Sequence, residues 1–226
     1  MPLLGSAAML LAFDVDAGAI DEHDRWHTHE HLPERMSIPG FHRGTRWTAV
    51  AGAPRYMVLY EVASLATLAS DAYLERLNNP TPWTSRIMPH YRAMSRGLCS
   101  VLGSFGYGQG GEAALIRFSP EKSRAAELQR WLLEQALPGV PGTTGLGSAH
   151  LLQAAQTAAM TAEQRIRGAD RGVDSALVIT GYDSGAVAAF AQEMVGPGSH
   201  LNHAVSGLNY GLYRLSYSLS SAEIDA

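Results

Sequence analysis

The 226-residue chain is 46% apolar and 17% charged, the composition of a globular protein with ample material for a core. A formal charge of −4, with basic residues scattered along the chain, excludes the electrostatic footprint of a nucleic-acid binder. No run reaches the roughly eighteen apolar residues of a membrane span, and the single cysteine, Cys99, excludes an internal disulfide framework and fits a reducing compartment.

The opening run "MPLLGSAAMLLAFDVD" is short, has no basic residues ahead of it and passes directly into "FDVD". It reads as a first β-strand rather than a leader peptide, and a cytoplasmic location is expected. Helical spacing follows from about Ile20 to Ile38. "FHRGTRWTAV" and "RYMVLYEVA" are strands joined across a turn rich in Gly and Pro. "SLATLASDAYLERLNN" is helical, and the Pro-punctuated "NPTPWTSRIMPHY" leads to a last strand, "RGLCSVLGSFGYG". The order is β-α-β-β-α-β, that of a ferredoxin-like unit.

Beyond the Gly-rich "GYGQGGE" the order repeats. "EAALIRFSP" is a strand, and "EKSRAAELQRWLLEQAL" is an amphipathic helix with Ala125, Leu128, Leu132 and Ala136 aligned. "TTGLGSAHLLQAA" and "DSALVITGYDS" are strands, "GAVAAFAQEMVG" a helix and "GLYRLSYSLS" a strand. "IPGF" at Ile38 to Phe41 answers "LPGV" at Leu137 to Val140. The reading is an α+β chain of two tandem ferredoxin-like units, residues 1–108 and 109–226. Gln156 to Asp174 has no counterpart in the first half and is expected to be a peripheral insertion. Both alternating sets of strand residues are apolar, as in Leu10, Leu11, Ala12 and Phe13. Both sheet faces therefore need cover, and antiparallel sheets packed face to face within the chain would supply it.

The stretch "WHTHEHLPERMSIPGFHRGTRW" combines Trp26, His31 and Pro33 as Trp-x4-His-x-Pro with Pro-Gly-Phe opening a strand. It resembles the EthD-like branch of the dimeric α+β barrel superfamily, and "YMVLYEVAS" and "NPTPW" extend the resemblance over about a hundred residues. The second half shares only the fold pattern. The resemblance implies a pseudo-dimeric barrel in which residues 109–226 stand in for a partner subunit. It also implies a cleft between helix and sheet faced by His31. The superfamily includes small cofactor-independent monooxygenases, isomerases, polyketide cyclases and lyases.

On a helix, His23, His27 and His31 share one stripe and His29 points away. His27 to His31 also reads H-x-x-E-H, the pattern of inverted zinc peptidases. Against a metal site stand Pro33, which should kink or stop the helix just past the motif, and the barrel resemblance, which already accounts for the spacing. No metal ligand is assigned, and His23 and His29 are expected to be solvated. His31 and His27 are the candidate acid–base residues. On the next strand His42, Gly44, Arg46 and Thr48 alternate with Arg43, Thr45 and Trp47. Arg46 is the candidate partner for a carboxylate or enolate oxygen. Trp26, Trp47, Tyr60, Trp83 and Arg86 are the candidate substrate-binding residues.

The first half holds six of the nine His and three of the four Trp, which suggests one working site. The expected function is a small-molecule enzyme performing cofactor-independent proton-transfer or oxygenase chemistry on an aromatic or polyketide-like substrate. The alternatives are a non-catalytic binding protein for an apolar metabolite and a metal-dependent hydrolase using the H-x-x-E-H stretch. "GYGQGG" leads into a strand instead of a helix, so no dinucleotide site is expected, and no cofactor is assigned. The expected partner is a small-molecule ligand, without nucleic acid or membrane, and further homo-oligomerisation is left open.

Overall fold

The structure, a computed structural model, describes residues 3–155, 161–167, 171–172 and 174–224. Strand β1 (Ala7–Val15) runs into a helical stretch built of α1 (Ile20–Trp26), a π-helical turn (His27–His31) and α2 (Leu32–Met36). Strands β2 (Phe41–Gly52) and β3 (Tyr56–Val62), helices α3 (Asp71–Asn78) and α4 (Pro82–Ile87), and strand β4 (Tyr91–Gly106) follow. The second half comprises β5 (Glu112–Pro120), α5 (Ala125–Trp131) with its own π-turn (Leu132–Ala136), and β6 (Leu146–Ala154). Then come α6 (Ala162–Arg167), β7 (Arg171–Gly172), β8 (Ser175–Gly181), α7 (Ser184–Val195) and β9 (Val205–Ser220).

Eight strands close into one antiparallel barrel in the order β1-β3-β2-β9-β5-β8-β6-β4, with β4 pairing back onto β1. Within each half the strands lie in the relative order 4-1-3-2. The expectation of two separate sheets packed face to face is corrected here. The sheets join edge to edge, because an open edge of unpaired N–H and C=O groups is closed most completely by another strand. The long last strands make both joints. Strand β4 pairs with β1 through residues 91–100 and with β6 through residues 99–106. Strand β9 pairs with β5 through residues 205–214 and with β2 through residues 211–220.

Closure explains why the strands are apolar on both faces. The inward set includes Ala8, Leu10, Ala12, Met57, Leu59, Cys99, Leu115 and Val178 around the large rings of Trp47 and Tyr213. An eight-stranded barrel is just wide enough for side chains to fill it, and small alanines opposite large rings suit the taper. The buried polar tips are bonded: Trp47 Nε1 donates to Thr45 Oγ1 at 2.8 Å and Tyr213 Oη donates to the Pro54 carbonyl at 3.1 Å. Burial pushes the Cys99 thiol up to about 12. One end of the barrel is tied by an Arg43–Glu61 ion pair at 2.7 Å.

The outward set meets the helices. In the first half Met9, Leu11, Phe13, Val58 and Tyr60 pack under Trp26, Leu32, Met36, Tyr73 and Ile87. In the second half Ala114, Ile116, Ile179 and Leu151 pack under Leu128, Leu132, Val187 and Ala191. Gly44 brings α2 close to the sheet: a Cβ there would lie 2.4 Å from Leu32 Cδ2. Among the described residues no helix is long and apolar enough to cross a membrane.

The expected peripheral insertion is also corrected, for the residues that are described. Thr161 is 7% and Glu163 2% exposed, and α6 packs beside α3 and the turn Met88–His90 that follows α4, with Ala162 N donating to Asn78 Oδ1 at 3.2 Å. The return strand β7 pairs in parallel with Ser95 and Arg96 of β4. The described parts of the connection, α6 and β7, thus lie against the first half. The stretches 156–160, 168–170 and 173 lie outside the described residues.

Expressed alone, residues 1–108 would expose the partner edges of β2 and β4 and the apolar inner face. Such a fragment should aggregate or form a homodimer that restores edge pairing. A soluble, cooperatively folding monomer, seen by light scattering and urea unfolding, would contradict this account.

Candidate active site

The site starts from the helical geometry of His27–His31. Four steps of ~100° overshoot a full α-helical turn by ~40°, so residues four apart drift steadily around an α-helix. Here Leu32 N donates to the His27 carbonyl, a five-residue step, and this wider turn takes back part of the drift. His23, His27, His31 and Arg35 consequently all stay on the buried side, at 0%, 1%, 8% and 1% exposure, while His29 is exposed. Pro33 does not end the helix as expected. It sits in the first turn after the π-segment, and the chain stays helical to Met36.

The three buried imidazoles form a ladder, with centroid spacings of 5.6 Å from His23 to His27 and 5.6 Å from His27 to His31. His23, expected to be solvated, instead packs 4.6 Å from the Tyr56 ring and 5.6 Å from Phe13, with Nδ1 3.1 Å from Asp24 Oδ1. The wider stripe carries it under the sheet. Trp26 lies against His31, ring centroids 4.3 Å apart.

His27 and His31 line a narrow cavity between this stripe and the outer face of β1, β3 and β4. The sheet contributes the apolar Met9, Leu11, Phe13 and Val58 together with Tyr60 and Arg96, and the helices opposite contribute the polar Arg35, Tyr73 and Glu163. The void is about 430 Å³ with its mouth, but only about 30 Å³ would hold the centre of a water molecule. Tyr60 Oη is 3.4 Å from His27 Nε2, and Arg96 Nη2 donates to Tyr73 Oη at 3.2 Å. Arg35 is ion-paired with Glu163 at 2.5 Å and Glu34 at 3.0 Å, and its guanidinium lies 5.8 Å from the Tyr73 ring centroid.

Burial holds the His27 pKa well below its ordinary value, and the neighbouring His23, Arg46 and Arg35 add to the effect. The ring is neutral at physiological pH, and its Nδ1 has no hydrogen-bond partner among the described residues. Burial also raises Tyr60, against the pull of Arg35, so this phenol keeps its proton. Burial works against the charge of Arg35, but Glu163, Tyr73 and Glu34 more than offset it and keep the guanidinium charged. Neutral imidazole, phenol and guanidinium therefore share one apolar-walled space.

The structure brings His27, His31 and Tyr60 together and disperses the other candidates. Trp26 backs His31, and its Nε1 donates to Glu30 and Thr84 at 3.1 and 3.2 Å. Arg46 faces the helix but is held at Asp24, 3.1 Å from the carbonyl and 3.6 Å from the carboxylate, so it is not the oxyanion partner at the cavity. Trp47 points into the barrel, because its strand turns Arg43, Thr45 and Trp47 inward. Trp83 Nε1 donates to Glu22 at 2.7 Å, and Arg86 is exposed and bonds its own Pro82 carbonyl. Glu30 of H-x-x-E-H accepts from Trp26 and Thr81, away from the imidazole ladder, and no metal-holding cluster of three His, Cys, Asp or Glu occurs among the described residues. Sequence reasoning missed Arg35, Tyr73, Arg96 and Glu163. Arg35 was accessible as the next four-residue step after His31, whereas nothing local marks Glu163 as part of a site in the other half.

No family model matches the sequence, and no curated protein matches it significantly. Solved structures do match in fold. A crystal structure of an anthrone oxidase-like protein superposes with a TM-score of 0.69 at 10% identity, over 99% of this chain and 97% of that one. A protein from Fusobacterium nucleatum subsp. nucleatum, provisionally described as a monooxygenase, gives 0.62 at 9% identity over 96% of each chain. A mutant chlorite dismutase from Candidatus Nitrospira defluvii gives 0.57 at 11% identity over 98% and 96%. At such identities the likeness is one of fold: an antiparallel closed barrel with outer helices.

The buried imidazoles make stability depend on pH in a definite direction. His23 and His27 are depressed by burial, and His150, buried and bonded to Ser104 and Ser148 inside the barrel, is lowered to about 4. The unfolded chain takes up these protons below about pH 6.5 and the folded chain does not. The imidazole contribution should be constant above that pH, and stability should fall as pH drops towards 4, by up to about 1.4 kcal/mol per pH unit for each proton. Urea unfolding between pH 7 and 5 tests this, and His150→Asn should flatten the slope by one proton's share. A level profile in the unmodified protein would contradict the burial of neutral rings.

Proposed function

We propose that the chain is a small-molecule enzyme that uses the cavity beneath α1 and α2 for proton-transfer or oxygen chemistry without a cofactor, on an aromatic or polyketide-like substrate. The observation that carries this reading is His27: a neutral imidazole with a partnerless nitrogen, in an apolar-walled space, beside Tyr60 and Arg35. Removing a proton from an activated C–H or phenol O–H would form an imidazolium and leave the electron pair on the substrate as an enolate or phenolate. A low-dielectric site opposes either charge alone but favours both when formed together, with Arg35 and the Tyr60 hydroxyl as electrostatic partners of the oxyanion. A carbanion so formed is the species that molecular oxygen, as co-reactant, would oxidise. The fold shared with an anthrone oxidase-like protein supports testing anthrones first.

We read the architecture as two ferredoxin-like units, 1–108 and 109–226, of the EthD-like branch, the second standing in for a partner subunit. The repeated 4-1-3-2 strand order and the reciprocal β2–β9 and β4–β6 joints support this. A cytoplasmic location is part of the same reading and rests on the lone, buried Cys99.

The test is oxygen uptake and product formation on a panel of anthrones and related hydroxylated polycyclic ketones, with binding followed separately by tryptophan fluorescence. We expect turnover in the unmodified protein and a fall of about 10²–10⁴-fold in His27→Gln with binding retained, and a smaller loss in Tyr60→Phe. Binding without turnover would transfer the site to the metabolite-binding reading. Absence of binding across the panel would overturn both.

A further inference from the structure

We infer that Glu163 occupies the place of a ligand's anionic group on Arg35, so that the cavity takes substrates bearing a carboxylate or an equivalent delocalised oxyanion, which displace α6 as they enter. This deepens the proposed function and rests on that reading of the cavity.

The first step is size. Ligand cavities for metabolite-sized molecules run to several hundred Å³, whereas the space here that would hold water centres is about 30 Å³, enough for roughly two waters. A polycyclic substrate therefore requires part of the wall to move. The sheet side belongs to the barrel and the histidine stripe is wedged beneath Trp26 and Tyr91. Beside Tyr73 and Leu77 of α3 and Met88, the wall is completed by Thr161, Glu163 and Gln164, a short element from the other half of the chain that rests on α3.

The second step is charge. The ionised side chains lining the cavity are Arg35, Arg96 and Glu163. Arg35 is 1% exposed and its closest partner is the Glu163 carboxylate at 2.5 Å. Arg96 is 8% exposed and bonds only a neutral phenol, Tyr73, among the contacts described. Moving α6 outward removes the only carboxylate among the described residues lining the cavity, leaving Arg35 with Glu34 alone and two guanidinium groups facing the incoming molecule. Stranding a buried charge by removing its partner is strongly unfavourable. A neutral ligand would bear the loss of that pairing, offset only in part by Glu34 on Nη1, while an anionic ligand cancels it by taking the place of Glu163 on Arg35 Nη2. Glu163 thus selects against neutral molecules of the same shape while the cavity is unliganded.

The experiment uses the full chain and a matched pair of probes, anthracene-9-carboxylate and anthracene-9-carboxamide, with titration calorimetry and hydrogen exchange. The unmodified protein should bind the carboxylate at least tenfold more tightly than the amide, and exchange at the backbone amides of residues 161–167 should rise at least tenfold when the carboxylate binds. Glu163→Gln removes the competitor, so its affinity for the carboxylate should rise about tenfold or more, with the amide changed much less. Arg35→Met should abolish the preference, and Arg35→Lys, which keeps the charge without the fork, should retain part of it. Equal binding of the two probes, an unchanged affinity in Glu163→Gln, or carboxylate binding with α6 exchange unaltered would each overturn the inference while leaving the cavity as the site. Binding of neither probe to any of the proteins would overturn the cavity reading itself, and the inference with it.

Discussion

The structure depends on strands that are apolar on both faces. In β1, Ala8, Leu10 and Ala12 point into the barrel while Met9, Leu11 and Phe13 point out, and none of them is more than slightly exposed. A sheet made of such strands has no face to offer water, so it must curl on itself and carry helices outside. That requirement also places the cavity. The barrel interior is filled by Trp47, Tyr213, Met57 and their aliphatic neighbours. The narrow cavity beside the histidine stripe lies between the outer face and the first-half helices.

The two halves use one architecture to different ends. Both first helices contain a π-turn, so the turn alone does not mark a functional site. In the second half that turn presents Leu132, beside Leu128 and Leu137, to an apolar layer. In the first half the same kind of helix presents His27, His31 and Arg35, and buried ionisable groups there must be neutral or paired. The structure does both: burial holds the His27 imidazole neutral, and the guanidinium is paired twice. The buried ionisable groups are thus concentrated on the first-half helix, where the second half places leucines.

Much of this was legible in the sequence, for reasons that differ from element to element. Strand order follows from a two-residue period interrupted by Gly and Pro, a local signal. The histidine stripe was legible as a four-residue step, but its depth was not, because the π-turn that keeps His23 and Arg35 inward depends on packing against the sheet. Alternation along β2 put Arg46 and Trp47 on opposite faces but could not show that Arg46 would be held by Asp24. Glu163 was illegible altogether, since its contact with Arg35 spans 128 residues and joins opposite halves.

The joint between β2 and β9 has a consequence during synthesis. Strand β9 begins on the order of 150 residues after β2 ends, and at 5–20 residues per second that is roughly 8–30 s of translation. Through that interval β2 has β3 on one side and an unsatisfied edge on the other, in a nascent chain surrounded by others of its kind. Arg43 and Arg46 on that strand, and the bulges that interrupt its pairing with β9 between Arg46 and Trp47 and between Ala49 and Ala51, are features that discourage an edge from recruiting a foreign strand. The seam that closes the barrel last is therefore also the one most in need of protection before it closes.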